Sequence, residues 1–398
     1  MRRRSWSAAA AVVAALLAVP LPGTAARAEP AAPALPELPN PSSGCVPASP
    51  SVQRGVGWAQ ARMAAPAVWP LTRGGGVTVA VLDTGVSPAA PALTGAVQAG
   101  VDVAGTGAGV EKGRPGRADS DCRGRGTFLA GLVAGRPVDG TDFAGVAPAA
   151  TILPVRVTDA RGKLTADTLA AGLRAAVTGG ARVVLIAAAV ATPTVALRDA
   201  VEFAVANNVV VVAAVAGAES TAATAPAGPG YPAGYPPVLA VAGVTADGGL
   251  VETSVPQAAD LVAPGEGAVS VAPTGAGHYT GGGNGVAAAY VAGVVALVRA
   301  YHPALTAAEV SRRLTATAVP LTAAGTGAGL VDGYDAVAAV ELGAVPGERP
   351  ADLAVLPAVP ARSAAPGRAL AVAGLLLVVL MVTVAAVTAA RARRRRTG

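Results

Sequence analysis

Asp83 is the residue of this chain whose position best suits catalysis. It follows the apolar run Val79–Leu82 and precedes Thr84 and Gly85, so it lies where a buried strand should end. Catalytic and ligand-binding groups gather at the carboxyl ends of strands in an open parallel sheet. A carboxylate there can orient and stabilise a basic side chain during proton transfer. A carboxylate that only caps a turn is the structural alternative.

Few other side chains could complete a catalytic or metal site with Asp83. The chain has two histidines, His278 and His302, and two cysteines, Cys45 and Cys122, which are separated along the sequence. Such a set lacks the spacing of metal ligands, so neither a metal nor another cofactor is expected. His278 lies in a Gly-rich segment with no nucleophile at hand. The hydroxyl groups that qualify by type alone belong to Ser254, Ser270, Thr127 and Thr280.

The elements that would position Asp83 alternate between strand and helix. Short β-branched runs that are apolar on both faces are separated by stretches of helical periodicity, which indicates a parallel sheet covered on both sides. The sequence therefore predicts an α/β fold with a doubly wound, mostly parallel sheet and helices on both faces. The predicted strands are 77–82, 152–157, 182–188, 209–215, 238–244 and 269–272, and the predicted helices are 127–135, 165–177, 195–207, 285–300, 306–317 and 332–340.

Both ends of the chain carry membrane-targeting patterns. Residues 1–28 combine a basic start, an apolar stretch and small residues before a cleavage position, as in a secretory signal, with an uncleaved anchor as the alternative. Residues 369–390 hold no charge and are long enough to cross a bilayer as a helix, with a buried core helix as the alternative. Five arginines in the tail 391–398 predict a cytoplasmic C-terminus and an extracytoplasmic folded part.

Between these ends the sequence predicts one folded domain, residues 54–342. A Pro-rich extension, 29–53, precedes it and a linker, 343–368, follows it. The net charge of +6 comes from the two ends, because the chain between Glu29 and Ala390 has 21 basic against 24 acidic residues. Nucleic-acid binding therefore has no support. In an exported chain the two cysteines favour a disulfide bond, with two free thiols as the alternative.

Three segments, in this order, resemble the subtilisin-like (S8) serine proteases. They are Val79–Val86, Arg123–Gly135 and Gly283–Gly293. The flanking sequence narrows the resemblance to the mycosin branch, whose members are membrane-anchored proteases associated with type VII secretion. The domain entry Gly57–Gln60 and Val68–Gly74 is similar to that of mycosins, as are the signal, the Pro-rich extension, the paired cysteines and the C-terminal anchor.

The resemblance makes Asp83 the triad acid, which orients a histidine that takes a proton from a serine. Arg125 stands at the histidine position, Gly285 at the serine position and Ala218 at the position of the oxyanion-hole asparagine. Ala187–Ala189 replaces a polar segment beside the substrate cleft. An arginine stays protonated and offers only donors, so it cannot serve as a general base. We expect it instead to form a bidentate ion pair with Asp83.

With these departures, the resemblance implies a mycosin-like subtilase that has no proteolytic activity. It would be anchored in the cell membrane with its folded domain outside, and it would act as a scaffold or bind peptides. The expected partners are membrane components of type VII secretion and secreted peptides. The alternative is an active serine endopeptidase that processes secreted substrates, for which a Ser–His pair is the minimum requirement. A remnant without function is a further alternative.

Overall fold

A seven-stranded sheet forms the centre of the first of two units, Met1–Ala339 and Val340–Gly398. The computed structural model describes residues 35–41, 43–105, 117–159, 162–216, 229–251, 259–340, 381 and 385–393. The strands in the described part are β1 (Thr78–Asp83), β2 (Val101–Asp102), β3 (Thr151–Arg156), β4 (Val183–Ile186), β5 (Val210–Ala214), β6 (Leu239–Val244), β7 (Leu261–Pro264), β8 (Ala268–Val271) and β9 (His278–Gly281). The helices of the first unit there are α1 (Trp58–Met63), α2 (Ala65–Val68), α3 (Arg125–Ala134), α4 (Ala166–Thr178), α5 (Val195–Ala206), α6 (Asn284–Tyr301), α7 (Ala307–Ala316) and α8 (Gly333–Ala338).

The strand order of the sheet is β2-β3-β1-β4-β5-β6-β7, and every pairing in it is parallel. Strand β1 lies between β3 and β4, so Asp83 stands at the carboxyl edge of the sheet, in register with Arg156. The predicted α/β fold with a mostly parallel sheet is confirmed. One strand differs, because the run 269–272 contributes to β8, which forms an antiparallel hairpin with β9, and the last strand of the sheet is β7.

Helices cover both faces of the sheet, and alternate side chains of β1 reach opposite faces. Val79 and Val81 belong to one core cluster together with apolar residues of α3 and α6. Ala80 and Leu82 belong to a second cluster together with residues of α4 and α5. A strand buried on both faces needs an apolar residue at every position, which explains the continuous apolar runs of the sequence.

Helix α6 is apolar around its whole circumference because it is a core helix. Among the described residues it is the one helix long and apolar enough to cross a membrane, and 83% of it is buried inside the protein. The predicted membrane span, 369–390, lies outside the described residues except for Met381 and 385–390, which are helical, as are 391–393. The predicted signal, 1–28, also lies outside the described residues.

Backbone pairing and a disulfide bond fasten the N-terminal extension to the domain. Leu38 N donates to Thr280 O at 2.8 Å, and Thr280 N donates to Pro36 O at 2.8 Å, so the extension runs beside β9. Cys45 and Cys122 form a disulfide bond. Cys122 lies three residues before α3, and the extension is therefore joined to the segment that leads into this helix.

His278, which lies inside the domain, forms hydrogen bonds with the next part of the N-terminal extension. Its side chain is 2% exposed and its ring packs on Phe143, with ring centroids 5.1 Å apart. Its Nδ1 accepts a hydrogen bond from Gln53 N at 3.2 Å, and its backbone N–H donates to Ser51 O at 2.7 Å. Burial lowers the pKa of the imidazole to about 4. The ring is therefore neutral at pH 7, and protonation of Nδ1 would remove the acceptor for Gln53.

The domain should lose stability as the pH falls from 6.5, the ordinary pKa of histidine, towards the folded-state value of about 4 for His278. In this interval the unfolded chain binds a proton that the folded chain does not, so the free energy of unfolding decreases by up to about 3 kcal/mol. Thermal unfolding midpoints at pH 7 and pH 4 measure the effect. His278→Asn, which keeps an acceptor but does not titrate, should reduce the difference.

His302→Asn is the matched control, since His302 is the other histidine of the chain. An undiminished pH dependence in His278→Asn would contradict the assignment to His278.

Candidate functional site

The carboxylate of Asp83 is fully buried at the end of β1 and contacts Arg125, the first residue of α3. Arg125 Nε donates to Asp83 Oδ1 at 3.0 Å, and Thr84 N donates to the same oxygen at 2.8 Å. Asp83 Oδ2 has no hydrogen-bond partner in the described part of the chain. The ion pair expected from the sequence is therefore present, but it joins the guanidinium to one carboxylate oxygen and is not bidentate.

A second buried carboxylate, Asp121, holds the first turn of α3. Its Oδ1 accepts hydrogen bonds from Gly124 N and Thr84 Oγ1, both at 2.8 Å. Its Oδ2 accepts from Thr127 N at 2.8 Å and from Thr127 Oγ1 at 2.7 Å. Amide groups at a helix start have no partner within the helix, and a nearby carboxylate satisfies them. Asp121 thereby fixes the backbone from which Arg125 projects and ties it to the end of β1.

Asp121 is a positioning residue that is absent from the site residues predicted above. Burial, the largest influence, raises the pKa of its carboxyl group, hydrogen bonds from Thr127 and Thr84 lower it, and the charge of Asp83 raises it again. The sequence does contain a signal for it, because Asp121 stands four residues before Arg125, close to a helix start. Acidic side chains are favoured there both as caps and by the helix dipole.

Gly285 lies in the first turn of α6 and is buried against the segment that follows β4. A Cβ atom at this position would lie 2.7 Å from Ala187 O and 2.9 Å from Ala187 Cβ. Carbon atoms do not approach each other or a backbone oxygen so closely in packed proteins. Any residue larger than glycine therefore requires α6 or the Ala187 segment to move.

Two pockets adjoin Arg125. Both are also lined by Glu37, Leu38 and Gly282. The small pocket has a volume of about 140 Å³, and its remaining walls are Phe128, Leu129, Ala187, Gly281, Gly285 and Val286. The large pocket has a volume of about 480 Å³, and its remaining walls are Pro39, Asn40, Thr84, Arg123 and Gly162. The N-terminal extension thus forms part of the wall around Arg125.

The remaining catalytic candidates have structural contacts or lie outside the described residues. Thr127 binds Asp121, and His278 binds the extension. Ala218 and Ser254 lie outside the described residues. The other three bond backbone carbonyl groups: Ser270 Oγ to Phe128 O at 2.6 Å, Thr280 Oγ1 to Pro36 O at 3.3 Å, and His302 Nε2 to Val337 O at 2.8 Å.

Replacing Arg125 by methionine should destabilise the protein, because the buried Asp83 then loses its ion-pair partner. Removing one partner of a fully buried pair costs about 3–5 kcal/mol. The side chain of Arg125 is 27% exposed, so we expect a smaller loss of about 1–3 kcal/mol in the free energy of unfolding. Urea denaturation measures the loss. Adding Asp83→Asn to this variant should recover part of it, since the unpaired charge is removed.

Arg117→Met is the matched control, because Arg117 pairs with Asp119 at the surface and its side chain is 70% exposed. Its effect on stability should be small, because an exposed ion pair contributes little. Equal losses of unfolding free energy in the Arg117 and Arg125 variants would show that the Arg125–Asp83 ion pair stabilises the fold no more than an exposed pair does.

Introducing serine at Gly285 should also destabilise the protein, because its Cβ would overlap Ala187. Overpacking of this kind costs about 1–3 kcal/mol, which thermal unfolding detects as a lowered midpoint. Gly333→Ala in α8 is the matched control, since a Cβ there meets its nearest atoms at 3.5 Å and 3.7 Å, which is ordinary contact. A Gly285→Ser variant as stable as the wild type would show that the Ala187 segment can move aside with little loss of stability.

The chain matches known proteins over most of its length. A profile of the subtilase family, Peptidase_S8, matches residues 74–339. Mycosin-3 of Mycobacterium tuberculosis (strain ATCC 25618 / H37Rv) is 33% identical, over 83% of this chain and 82% of that protein. Thermitase of Thermoactinomyces vulgaris is 32% identical, over 69% of this chain and 94% of that protein.

A solved structure supports the same relationship. The MycP3 protease from the type VII (ESX-3) secretion system superposes with a TM-score of 0.62 and is 32% identical, over 77% of this chain and 94% of that one. The family match, the identity to mycosins and the shared architecture agree with the parallel sheet. This chain belongs to the subtilase family, peptidase S8.

Proposed function

We propose that this protein is a mycosin-like subtilase of type VII secretion that has no proteolytic activity. Its folded domain faces the extracytoplasmic side, the span 369–390 anchors it in the cell membrane, and its role is that of a scaffold or a peptide-binding subunit. The observation that carries the proposal is the pairing of Arg125 with Asp83, together with a glycine at 285.

Proteolysis by a subtilase requires a base that removes the proton of a serine hydroxyl. The resemblance assigns position 125 to this base; here Arg125 is bonded to Asp83, and a guanidinium stays protonated at physiological pH. Gly285 has no side chain that could attack a peptide bond. In subtilisin itself, removing either the serine or the histidine lowers turnover by about 10⁶-fold.

The relatives supply the argument for type VII secretion. Mycosin-3 and Mycosin-4 are similar to this chain over 83% and 70% of its length. One related structure is described as a protease from the ESX-3 type VII system, and another as an essential component of the ESX-1 type VII system. A membrane anchor is supported by the uncharged segment 369–390 and by the arginine-rich tail that follows it.

The full-length protein, purified from membranes, should not react with a fluorophosphonate probe, because this reagent labels only an activated serine. An active mycosin, labelled in parallel, is the positive control. The double variant Arg125→His with Gly285→Ser should be labelled weakly or not at all, since Ala187 O occupies the space that a side chain at 285 needs. Labelling is read by gel fluorescence and by mass spectrometry of the modified peptide.

Labelling of the natural protein would contradict the proposal and would favour the alternative, an active serine endopeptidase with a serine outside the motif positions.

The same purification tests the association with secretion. Membrane components of a type VII system should copurify with the protein, and a purification that contains none of them would contradict a scaffold role.

A further inference from the structure

A cavity separate from the pockets beside Arg125 lies where α1 and α2 meet the segment 137–146 and helix α6. Its volume is about 220 Å³, and it shares no lining residue with those two pockets. The lining includes Val56, which is 63% exposed, and Asp142, which is also exposed. The cavity therefore opens to solvent on this side, and a small molecule can enter it.

The hydroxyl group of Tyr290 lacks a hydrogen-bond partner in this cavity. Tyr290 belongs to α6, lines the cavity and is 2% exposed, and its Oη bonds no atom of the described part of the chain. A buried hydroxyl without a hydrogen bond costs about 1–3 kcal/mol. Burial raises the pKa of this phenol, so it stays neutral and can donate a hydrogen bond. The cavity thus offers a ligand one buried donor.

Other polar side chains around the cavity already bond to the protein. Gln60 Nε2 donates to Ala144 O at 3.2 Å, and Trp69 Nε1 donates to Val146 O at 3.0 Å. Thr141 Oγ1 accepts a hydrogen bond from the backbone N–H two residues further on, at 3.1 Å. These bonds fix the cavity wall, and they leave the hydroxyl of Tyr290 as the buried polar group that a ligand would satisfy.

The composition of the wall favours an uncharged aromatic ligand. The rings of Trp69, Phe143 and Tyr290 line the cavity, as does the thioether of Met63. Aromatic rings attract one another in offset or edge-to-face arrangements, and a methionine sulfur also packs well on a ring. Asp142 is the one charged residue among the described lining residues, and its Oδ2 accepts from a backbone N–H at 2.6 Å. Its charge disfavours an anion, and its exposure leaves a buried cation without a buried counter-ion.

We propose that this cavity binds a small uncharged aromatic molecule whose carbonyl oxygen accepts a hydrogen bond from Tyr290 Oη. An engineered cavity of about 150 Å³ holds benzene. The volume of about 220 Å³ found here leaves room for a ring with a short substituent that carries the carbonyl group. The inference goes beyond the proposed function and does not depend on it, since no residue of the Asp83 site takes part.

Three fluorinated probes of similar size test the proposal: para-fluoroacetophenone, which has a carbonyl group, para-fluoroethylbenzene, which has no strong acceptor, and para-fluorobenzoate, which is an anion. Each is titrated with the full-length protein in detergent and followed by fluorine NMR, and titrations with detergent alone correct for partition into micelles. The ketone should bind about tenfold more tightly than the hydrocarbon, which corresponds to one hydrogen bond. The benzoate should show no saturable binding.

A conservative variant assigns the preference to the hydroxyl group. Tyr290→Phe keeps the ring, and it should weaken binding of the ketone about tenfold, to the affinity of the hydrocarbon. Tyr301→Phe is the matched control, because Tyr301 ends the same helix, is 45% exposed and does not line the cavity. This control should keep the preference for the ketone. If Tyr290→Phe fails to fold, the comparison of the three probes on the wild type still decides the matter.

Equal affinity of the wild type for the ketone and the hydrocarbon would overturn recognition by Tyr290. Saturable binding of the benzoate as tight as that of the ketone would overturn the preference for an uncharged ligand. No saturable binding of any probe would overturn the site itself, and a lowered unfolding midpoint of Tyr290→Phe would then assign the hydroxyl to a bound water. The proposed function is decided separately, by the fluorophosphonate labelling.

Discussion

The four hydrogen bonds accepted by the buried carboxylate of Asp121 are the constraint on which the site depends. They join the end of β1, through Thr84, to the first turn of α3, through Gly124 and Thr127. A buried carboxylate is costly unless its oxygens are satisfied, and here each oxygen accepts two donors. The position of Arg125 relative to Asp83 follows from this junction, because the arginine is the first residue of the helix that Asp121 holds.

A cation at position 125 is compatible with this junction because the arginine side chain leaves the backbone hydrogen bonds untouched. Asp83 is buried and needs a donor to offset its desolvation. Arg125 provides that donor through Nε, while its long side chain lets part of the guanidinium reach the pockets. The core clusters on the two faces of the sheet are built from apolar side chains, so their packing does not depend on the chemistry at this edge.

The sequence predicts what depends on residue pattern and misses what depends on close approach between distant segments. Continuous apolar runs indicate the parallel sheet, and the strand-end position of Asp83 indicates the edge at which the site lies. The hairpin of β8 and β9 was not predicted, because short apolar runs do not reveal their pairing partners. The contact between Ala187 and Gly285 joins residues 98 positions apart in sequence, and no local signal reports such a distance.

Gly285 and Arg125 line the same small pocket, and the packing around them determines its shape. Without a Cβ at 285, the Ala187 segment packs directly on the start of α6 and closes this wall of the small pocket. The opening that is left lies beside the guanidinium and is bounded by Leu129 and Val286. A closed wall at Gly285 and a guanidinium paired with Asp83 offer neither a nucleophile nor a base at these two positions. A hydroxyl added at 285 alone would not change this, because the wall must also retreat before a side chain there has room.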